Sequence, residues 1–447
     1  MATTGYRQAG DIELAQLTLI SRSGQMFDIS ELMLEVNVYQ NLYDPSMHCE
    51  IVISDATGII DFIKPAGKNE PGGLSGSEIV LLAYRTPSEE IKLQKHIFIL
   101  NAVSDRRRID EKIEAFVLEC VSLETFANID KKISRAYGGD EGNSIDNMVK
   151  SVHKEFYKSE AIVGTYSDIA SANFKVSKNL TVDSTKGKHK FIVPNLDVDN
   201  TLRFFAQEAT GDNIASSYCF YEDSNGFNFR NYVNLIDQDS KFTYQYEPSN
   251  YHEGGKKADA PYNDSFKILA FDAVKETDML DNMASGLYGS EQILIDSLRK
   301  KSIKTKFSYE KQRSKFKKLG ASYIPGNSST SSVIDMVTTR FQHDQLEIFK
   351  DEGVRPKSLE RTGPIKRSFM KQITNKRMEV TLHGNSDLNV GDVVFLSFPV
   401  PTTADEAQRE DKYMTGKHLV TSLRHKFDAK TYVTVIECIK DTGFKKK

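Results

Sequence analysis

Residues 378–439 constrain this chain more than any other stretch, because their polarity alternates as only paired strands require. Residues 379–383 read as a strand, Gly384-Asn385-Ser386-Asp387 as a turn, and 393–398 as a second strand. A long third strand spans 414–427, interrupted near its start by Thr415-Gly416, and Asp428-Ala429-Lys430 turns the chain into a fourth over 431–439. Tyr432-Val433-Thr434-Val435-Ile436 has the two-residue period of a half-buried strand. Strands of this kind leave open edges, and closure into a small barrel removes them. No catalytic motif lies in the segment, which points to a part of an assembly rather than to an enzyme.

The other end of the chain has the same style. Strands are expected over 13–20, 32–39, 47–54 and 78–85, and 95–104 should pair with 112–121 across residues 105–109. The turn between the second and third strands contains Asn41 and Asp44-Pro45, residues suited to turns. A short connection begins at 59–63 and ends in the Gly- and Pro-containing stretch 68–73. No clear repeat relates the two β-rich ends.

Between them the period changes. Residues 123–128 begin a helix-like stretch. Ile145, Met148, Val149 and Val152 form a helical stripe running to about Tyr157, with Ser144 as its expected N-cap. Residues 197–209 form a third helix, with Leu202, Phe205, Ala206 and Ala209 on one face. Val193-Pro194-Asn195 leads into it in extended form. Residues 218–222 and 226–230 make a hairpin over Asn225-Gly226, a strong turn signal. Beyond residue 240 the pattern is weaker: 246–262 is polar, 266–278 reads as strand or helix, 297–319 is strongly basic, 325–332 is Ser-rich, and 360–377 reads as a helix. The fold class expected is mainly β with α+β insertions. The units expected are 1–125 and 361–447 as β-barrel domains, 126–240 as an α+β insertion, and 241–360 as an interposed domain with basic and Ser-rich loops.

A length of 447 residues is enough for about three domains, each able to bury a core. The net charge of −3 lacks the basic surplus of a general nucleic-acid binder. Cys49, Cys120, Cys219 and Cys438 are widely separated, show no CxxC spacing and are expected to be buried thiols. No apolar run approaches 18 residues and the N-terminus lacks a signal-peptide core, so synthesis in a cytoplasm and no membrane span are expected.

Tests for chemistry return nothing that assembles. His418 and His425 lie on one strand at an odd spacing, which puts them on opposite faces if the strand is uninterrupted, and both sit among cations. His48 and Cys49 are adjacent, so in a strand they point apart. His252-Glu253-Gly254-Gly255 lacks a second histidine, and Pro71-Gly72-Gly73-Leu74-Ser75-Gly76 lacks the lysine and helix of a phosphate loop. No catalytic, cofactor-binding or metal-ligating residue is assigned and no cofactor is expected. Chance carboxylate pairs leave glycoside hydrolysis open. The basic run 299–318, interleaved with Phe307, Tyr309 and Phe316, is the best anion contact; it serves either a nucleic acid or an acidic partner, or is a solvated face.

Four segments in order carry a family resemblance: HIFILNAVSDRRRIDEKIEAFVLECVSLETFAN (96–128), GNSIDNMVKSVHKEF (142–156), FIVPNLDVDNTLRFFAQEATGDNIASSYCFYEDSNGFNF (191–229), and GNSDLNVGDVVFLSF with HLVTSLRHKFDAKTYVTVIEC near the C-terminus. With these the chain resembles the central baseplate hub proteins of contractile phage tails, and the N-terminal part of type VI secretion spike proteins. Residues from about 240 to 360 depart from the pattern. The resemblance implies two tube-like barrels per subunit and a homotrimer whose six barrels form a ring. That ring would join the hexameric tail tube to the trimeric spike among neighbouring baseplate proteins, in the virion tail. It also implies that genomic DNA passes through the lumen only as cargo, so that the basic run should face elsewhere. A tail-associated cell-wall hydrolase and a nucleic-acid-contacting tail protein are the alternatives.

Overall fold

The computed structural model describes residues 8–56, 76–88, 91–138, 143–158, 177–246, 264–296, 300–320, 338–343, 359–400 and 410–442, with short stretches at 58, 63–64, 72–74, 174 and 323–324. The expected segments 246–262 and 325–332, the residues 65–71 before the Gly-Gly turn, and His252-Glu253 fall wholly or almost wholly outside the described residues.

The N-terminal strands are β1 Glu13–Ile20, β2 Met26–Asp28, β3 Met33–Asn41, β4 His48–Asp55, β5 Ile79–Arg85, β6 Gln94–Asp110 and β7 Ile113–Ser122. After helix α1 (Leu123–Asn128) come β8 Lys132–Tyr137, α2 Ile145–Val152, β9 Asn179–Val182, β10 Phe191–Asp197, α3 Val198–Glu208, the hairpin β11 Tyr218–Asp223 and β12 Gly226–Asn231, and α4 Tyr232–Ile236. The remainder is β13 Phe242–Gln245, β14 Ile268–Lys275, α5 Met279–Ala284, β15 Gly289–Asp296, β16 Lys301–Ser308, α6 Tyr309–Gln312, β17 Thr338–His343, α7 Leu359–Ile373, β18 Lys376–His383, β19 Val393–Ser397, β20 Gly416–Phe427 and β21 Tyr432–Lys440. The fold is mainly β, as the sequence pattern leads one to expect.

Thirteen strands belong to one sheet, ordered β14-β18-β21-β20-β3-β4-β7-β6-β5-β1-β2, with β19 branching from β20 and β13 pairing with β19. The two β-rich ends are therefore not separate sheets. They meet where β20 pairs antiparallel with β3, from Ser422 opposite Asn41 to Phe427 opposite Val36. Each half rolls around its own core. The N-terminal core gathers Leu17, Val38, Ile51, Tyr84, Phe98 and Leu118 and borrows Phe427 and Tyr432 from the C-terminal strands. The C-terminal core gathers Val380, Leu396, Leu419 and Ile436 with Phe369 of α7 and Tyr221 and Leu235 of the insertion. Segment 266–278, open between strand and helix in sequence, contributes strand β14, which lies against β18.

The insertion packs α2 and α3 against the β11–β12 hairpin, burying Met148, Val152, Leu202, Phe205 and Phe227. Helix α2 passes into a π-helical turn at His153–Tyr157. Ser144 occupies its N-cap but its side chain makes no capping bond, whereas Asp197 caps α3, its Oδ1 accepting from the Asn200 N–H at 2.7 Å.

Candidate assembly surface

The ladder across β20 and β3 makes eight strands, β14 through β6, into one antiparallel ribbon, each strand antiparallel to its neighbours. Strand alternation gives the ribbon two faces. One face supplies both cores. The other carries mostly polar and charged side chains and can be followed row by row through the register.

One row runs Asp272 (β14), Glu379 (β18), Glu437 (β21), Ser422 (β20), Asn41 (β3). The next runs Thr381, Val435, Arg424, Tyr39, His48. A third runs His383, Val433, Lys426, Asn37, Glu50, Glu119, Ala102. Carboxylates sit directly opposite one another in both halves: Glu379 and Asp272, Glu379 and Glu437, Glu50 and Glu119. Like charges directly opposite cost stability, so the repetition is not what folding alone would select.

Cations on this face are held within it. Arg424 donates from Nε to Asn37 at 2.8 Å and lies 3.4 Å from Glu35, and Lys426 lies 2.9 Å from Glu35. Burial alone would raise the Glu35 carboxyl, but hydrogen bonds from Asn37 and Lys426 outweigh it and hold the group below its usual value. Partial burial pushes the Tyr39 hydroxyl up to about 12, and it donates to Glu50 at 2.8 Å. Ser104 donates to Glu119. At the junction of the halves, Tyr39, Asp44, His48, Glu379, Arg424 and Glu437 border a groove of about 360 Å³.

Behind the ribbon, buried polar groups lock the parts together. Gln40 donates to Ser224 at 2.8 Å and to Asn389 at 3.2 Å and accepts from the Val390 N–H, joining β3, the β11–β12 turn and the loop before β19. Thr86 and Ser386 exchange hydrogen bonds: the Thr86 N–H donates to Ser386 Oγ at 2.9 Å and the Ser386 N–H to Thr86 Oγ1 at 3.0 Å. Lys178 bridges Glu124 of α1, at 2.8 Å, and Glu222 of β11. Glu222 also accepts from the Met47 N–H at 2.9 Å. Burial works against the Lys178 charge, but the two carboxylates prevail and raise its pKa, while burial raises Glu124.

The residues tested for chemistry in the sequence stay apart. His48 is half exposed and pairs with Asp44 at 3.4 Å, a hydrogen bond that raises its pKa. Cys49 points into the core and burial pushes its thiol well up. His418 and His425 are both buried, because a register shift between Val420 and Ser422 interrupts the strand that would have set them on opposite faces. His418 faces the Lys440 and Cys438 region, while His425 meets Tyr432 and Thr434; burial pushes each down to about 3. In the basic run, Phe307, Tyr309 and Phe316 are buried, Phe316 lying against Phe369, so these rings offer no surface for stacking bases. Lys317 pairs with Asp237 at 3.0 Å. Sequence reasoning missed the Gln40, Thr86–Ser386 and Lys178 knots, whose partners lie up to 350 positions apart.

No family model matches the chain, and no curated protein matches it. Among solved structures it is similar to a 43 kDa tail protein of prophage MuSo2 from Shewanella oneidensis, at TM-score 0.52 and 10% identity, covering 96% of this chain and 98% of that one. It is also similar to a tail protein from Neisseria meningitidis MC58, at TM-score 0.50 and 10% identity, covering 95% and 96%. Nearly the whole of each chain takes part in both matches, insertion included. The resemblance read from the sequence is met at the level of fold: this chain is built like these tail proteins.

Proposed function

We propose that the protein is a structural hub of a contractile tail baseplate: a homotrimer forming a pseudo-hexameric ring that joins a hexameric tail tube to a trimeric spike, without enzymatic activity. The observation that carries this reading is the ribbon. Two β halves, each with its own core, are joined edge to edge within one chain, so each subunit offers two units to a ring, and three subunits offer six. That is the arithmetic a six-to-three adaptor requires.

The polar face fits the wall of a channel for passing DNA. Its opposed carboxylates repel phosphate, Arg424 and Lys426 are occupied by Glu35, and Arg377 lies 3.8 Å from Glu437. A channel that bound DNA would hold it in place, since phosphate contacts with Lys and Arg dominate such affinity. In this reading the two ends of the ring meet the tube protein and the spike protein, and the insertion meets neighbouring baseplate proteins. Assembly takes place in the host cytoplasm and the product resides in the virion tail.

The test is mass by light scattering, with and without spike protein. A species of three chains is expected, and a monomer that persists at high concentration with spike present overturns the reading. Zymography on peptidoglycan is expected to show no clearing.

A further inference from the structure

We propose that the open edge of strand β16 is a docking site for an extended acidic segment of a partner protein. The segment adds to the small β15–β17 sheet as a further strand, with its carboxylates beside Lys304 and Lys306. The site lies outside the ribbon and does not depend on the ring reading above.

The charge here is unlike that of the rest of the chain. Residues 297–319 hold ten Lys and Arg residues and a single carboxylate, Glu310, in a chain whose net charge is −3. Part of that charge is held internally. Arg313 pairs with Glu310 at 2.8 Å, Lys317 with Asp237 at 3.0 Å, and Lys318 lies 3.9 Å from the centre of the Tyr323 ring. Lys300, Lys304, Lys306, Lys311 and Lys315 are exposed and make no ion pair among the described residues, although the ladder sets Glu291 opposite Lys306.

The main chain beside these lysines is open. The small sheet is ordered β16-β15-β17, so β16 is an edge strand and pairs with β15 alone among the described residues. At the end of this ladder the Tyr309 N–H donates to the carbonyl of Tyr288, directly opposite, at 2.9 Å. Alternation from that bond turns the N–H and C=O groups of Thr305 and Phe307 toward β15, and those of Lys304 and Lys306 outward. The same alternation puts the Lys304 and Lys306 side chains on one face and Phe307 on the other. The Phe307 face is anchored. Phe307 stacks on Phe316, and Phe316 meets Phe369 of α7. The Tyr309 hydroxyl donates to Gln372 at 3.0 Å, and the Leu319 and Gly320 N–H groups donate to Asp441 at 3.0 and 2.8 Å. An edge fixed in this way costs little further ordering when a partner binds.

Lysines on an edge also discourage accidental pairing. That does not account for Lys311 and Lys315, which lie past the strand, on α6 and the 3₁₀ turn that follows it, where no ladder needs guarding. A second copy of β16 would set lysine against lysine, and like charges directly opposite are unfavourable. A nucleic acid finds no ring to stack on, since Phe307, Tyr309 and Phe316 are buried, and it uses none of the outward main-chain groups. A strand with carboxylates at alternate positions satisfies both features. Its main chain extends the ladder, its carboxylates fall beside Lys304 and Lys306, and further acids reach Lys311 and Lys315 beyond the strand's end.

The test uses the full-length protein and a fluorescent peptide alternating Glu and Thr, followed by anisotropy at about 150 mM salt. Binding is expected, and Lys304→Glu/Lys306→Glu is expected to weaken it at least about tenfold with thermal unfolding unchanged. Hydrogen exchange at the Lys304 and Lys306 amides of the wild-type protein is expected to slow when the peptide binds. The same peptide N-methylated at its Glu residues keeps its charge and loses the donors that face β16, and is expected to bind at least about tenfold more weakly. Duplex DNA is expected to compete poorly. The proposal is overturned by a peptide that does not bind, by equal binding of the N-methylated peptide, by a lysine variant that binds as the wild type does, or by duplex DNA that displaces the peptide at this salt.

Discussion

Gly384 shows how much a single position can hold. It opens the loop after β18, its N–H donates to the Tyr432 carbonyl at 2.8 Å, and a Cβ at this site would fall within the Tyr432 ring. That ring belongs to the N-terminal core, and its hydroxyl reaches His425 Nδ1 at 2.7 Å. Gly384→Ala is thus expected to destabilise the protein by about 3 kcal/mol, the upper range for overpacking a filled core, measured as a loss of urea midpoint. His96, His418 and His425 make a second residue-level prediction. Burial pushes each of them down to about 3. Below about pH 6.5 the unfolded chain takes up protons that these buried rings refuse, so stability falls as pH drops, by about 1.4 kcal/mol per pH unit for each ring. His48 acts in the opposite sense, since Asp44 raises its pKa, but the pair is half exposed and contributes little. Urea midpoints at pH 7.5, 6 and 5 should decline steeply; a flat profile would contradict the burial of these rings.

At the scale of elements, local pattern predicted most of what is seen, and long-range pairing explains the rest. Strands β1, β4, β20 and β21 and the β11–β12 hairpin fall within a residue or two of where alternation and turn residues place them. Such signals are local, and the competing choices at those positions are few. The segment that became β14 resisted reading because it is an exposed edge strand, with neither clean alternation nor a buried stripe. The bulge in β20 was equally illegible: it shows only as a shift against β21, and it puts both His418 and His425 inside. The caps separate sequence likeness from function. Asp197 and Ser144 both occupy N-cap positions, but only Asp197 accepts from a helix N–H, whereas the Ser144 side chain bonds the Asp146 carboxylate. Asp197→Ala is therefore expected to cost about 1 kcal/mol, and Ser144→Ala less than about 0.5 kcal/mol, in the same denaturation assay.

For the molecule as a whole, the decisive contacts join segments far apart in the chain: β3 with β20, Gln40 with Val390, Lys178 with Glu124 and Glu222. No periodicity announces such pairs, which is why two β-rich ends were legible and their fusion into one ribbon was not. Among these contacts the Lys178 bridge fastens the insertion to the N-terminal half. Glu222→Ala would strip it of one carboxylate and leave the Met47 N–H without its acceptor. Breaking a buried charge pair costs about 3–5 kcal/mol. The expected result is faster proteolysis within residues 177–231 while the ribbon stays protected, read by limited digestion and mass spectrometry. The β3–β20 ladder also has a mechanical meaning. A joint made inside one chain cannot be diluted apart, so in a ring of such chains every second joint between halves is permanent. Tension on the ring would then concentrate on the joints between chains, and those are where it would yield first.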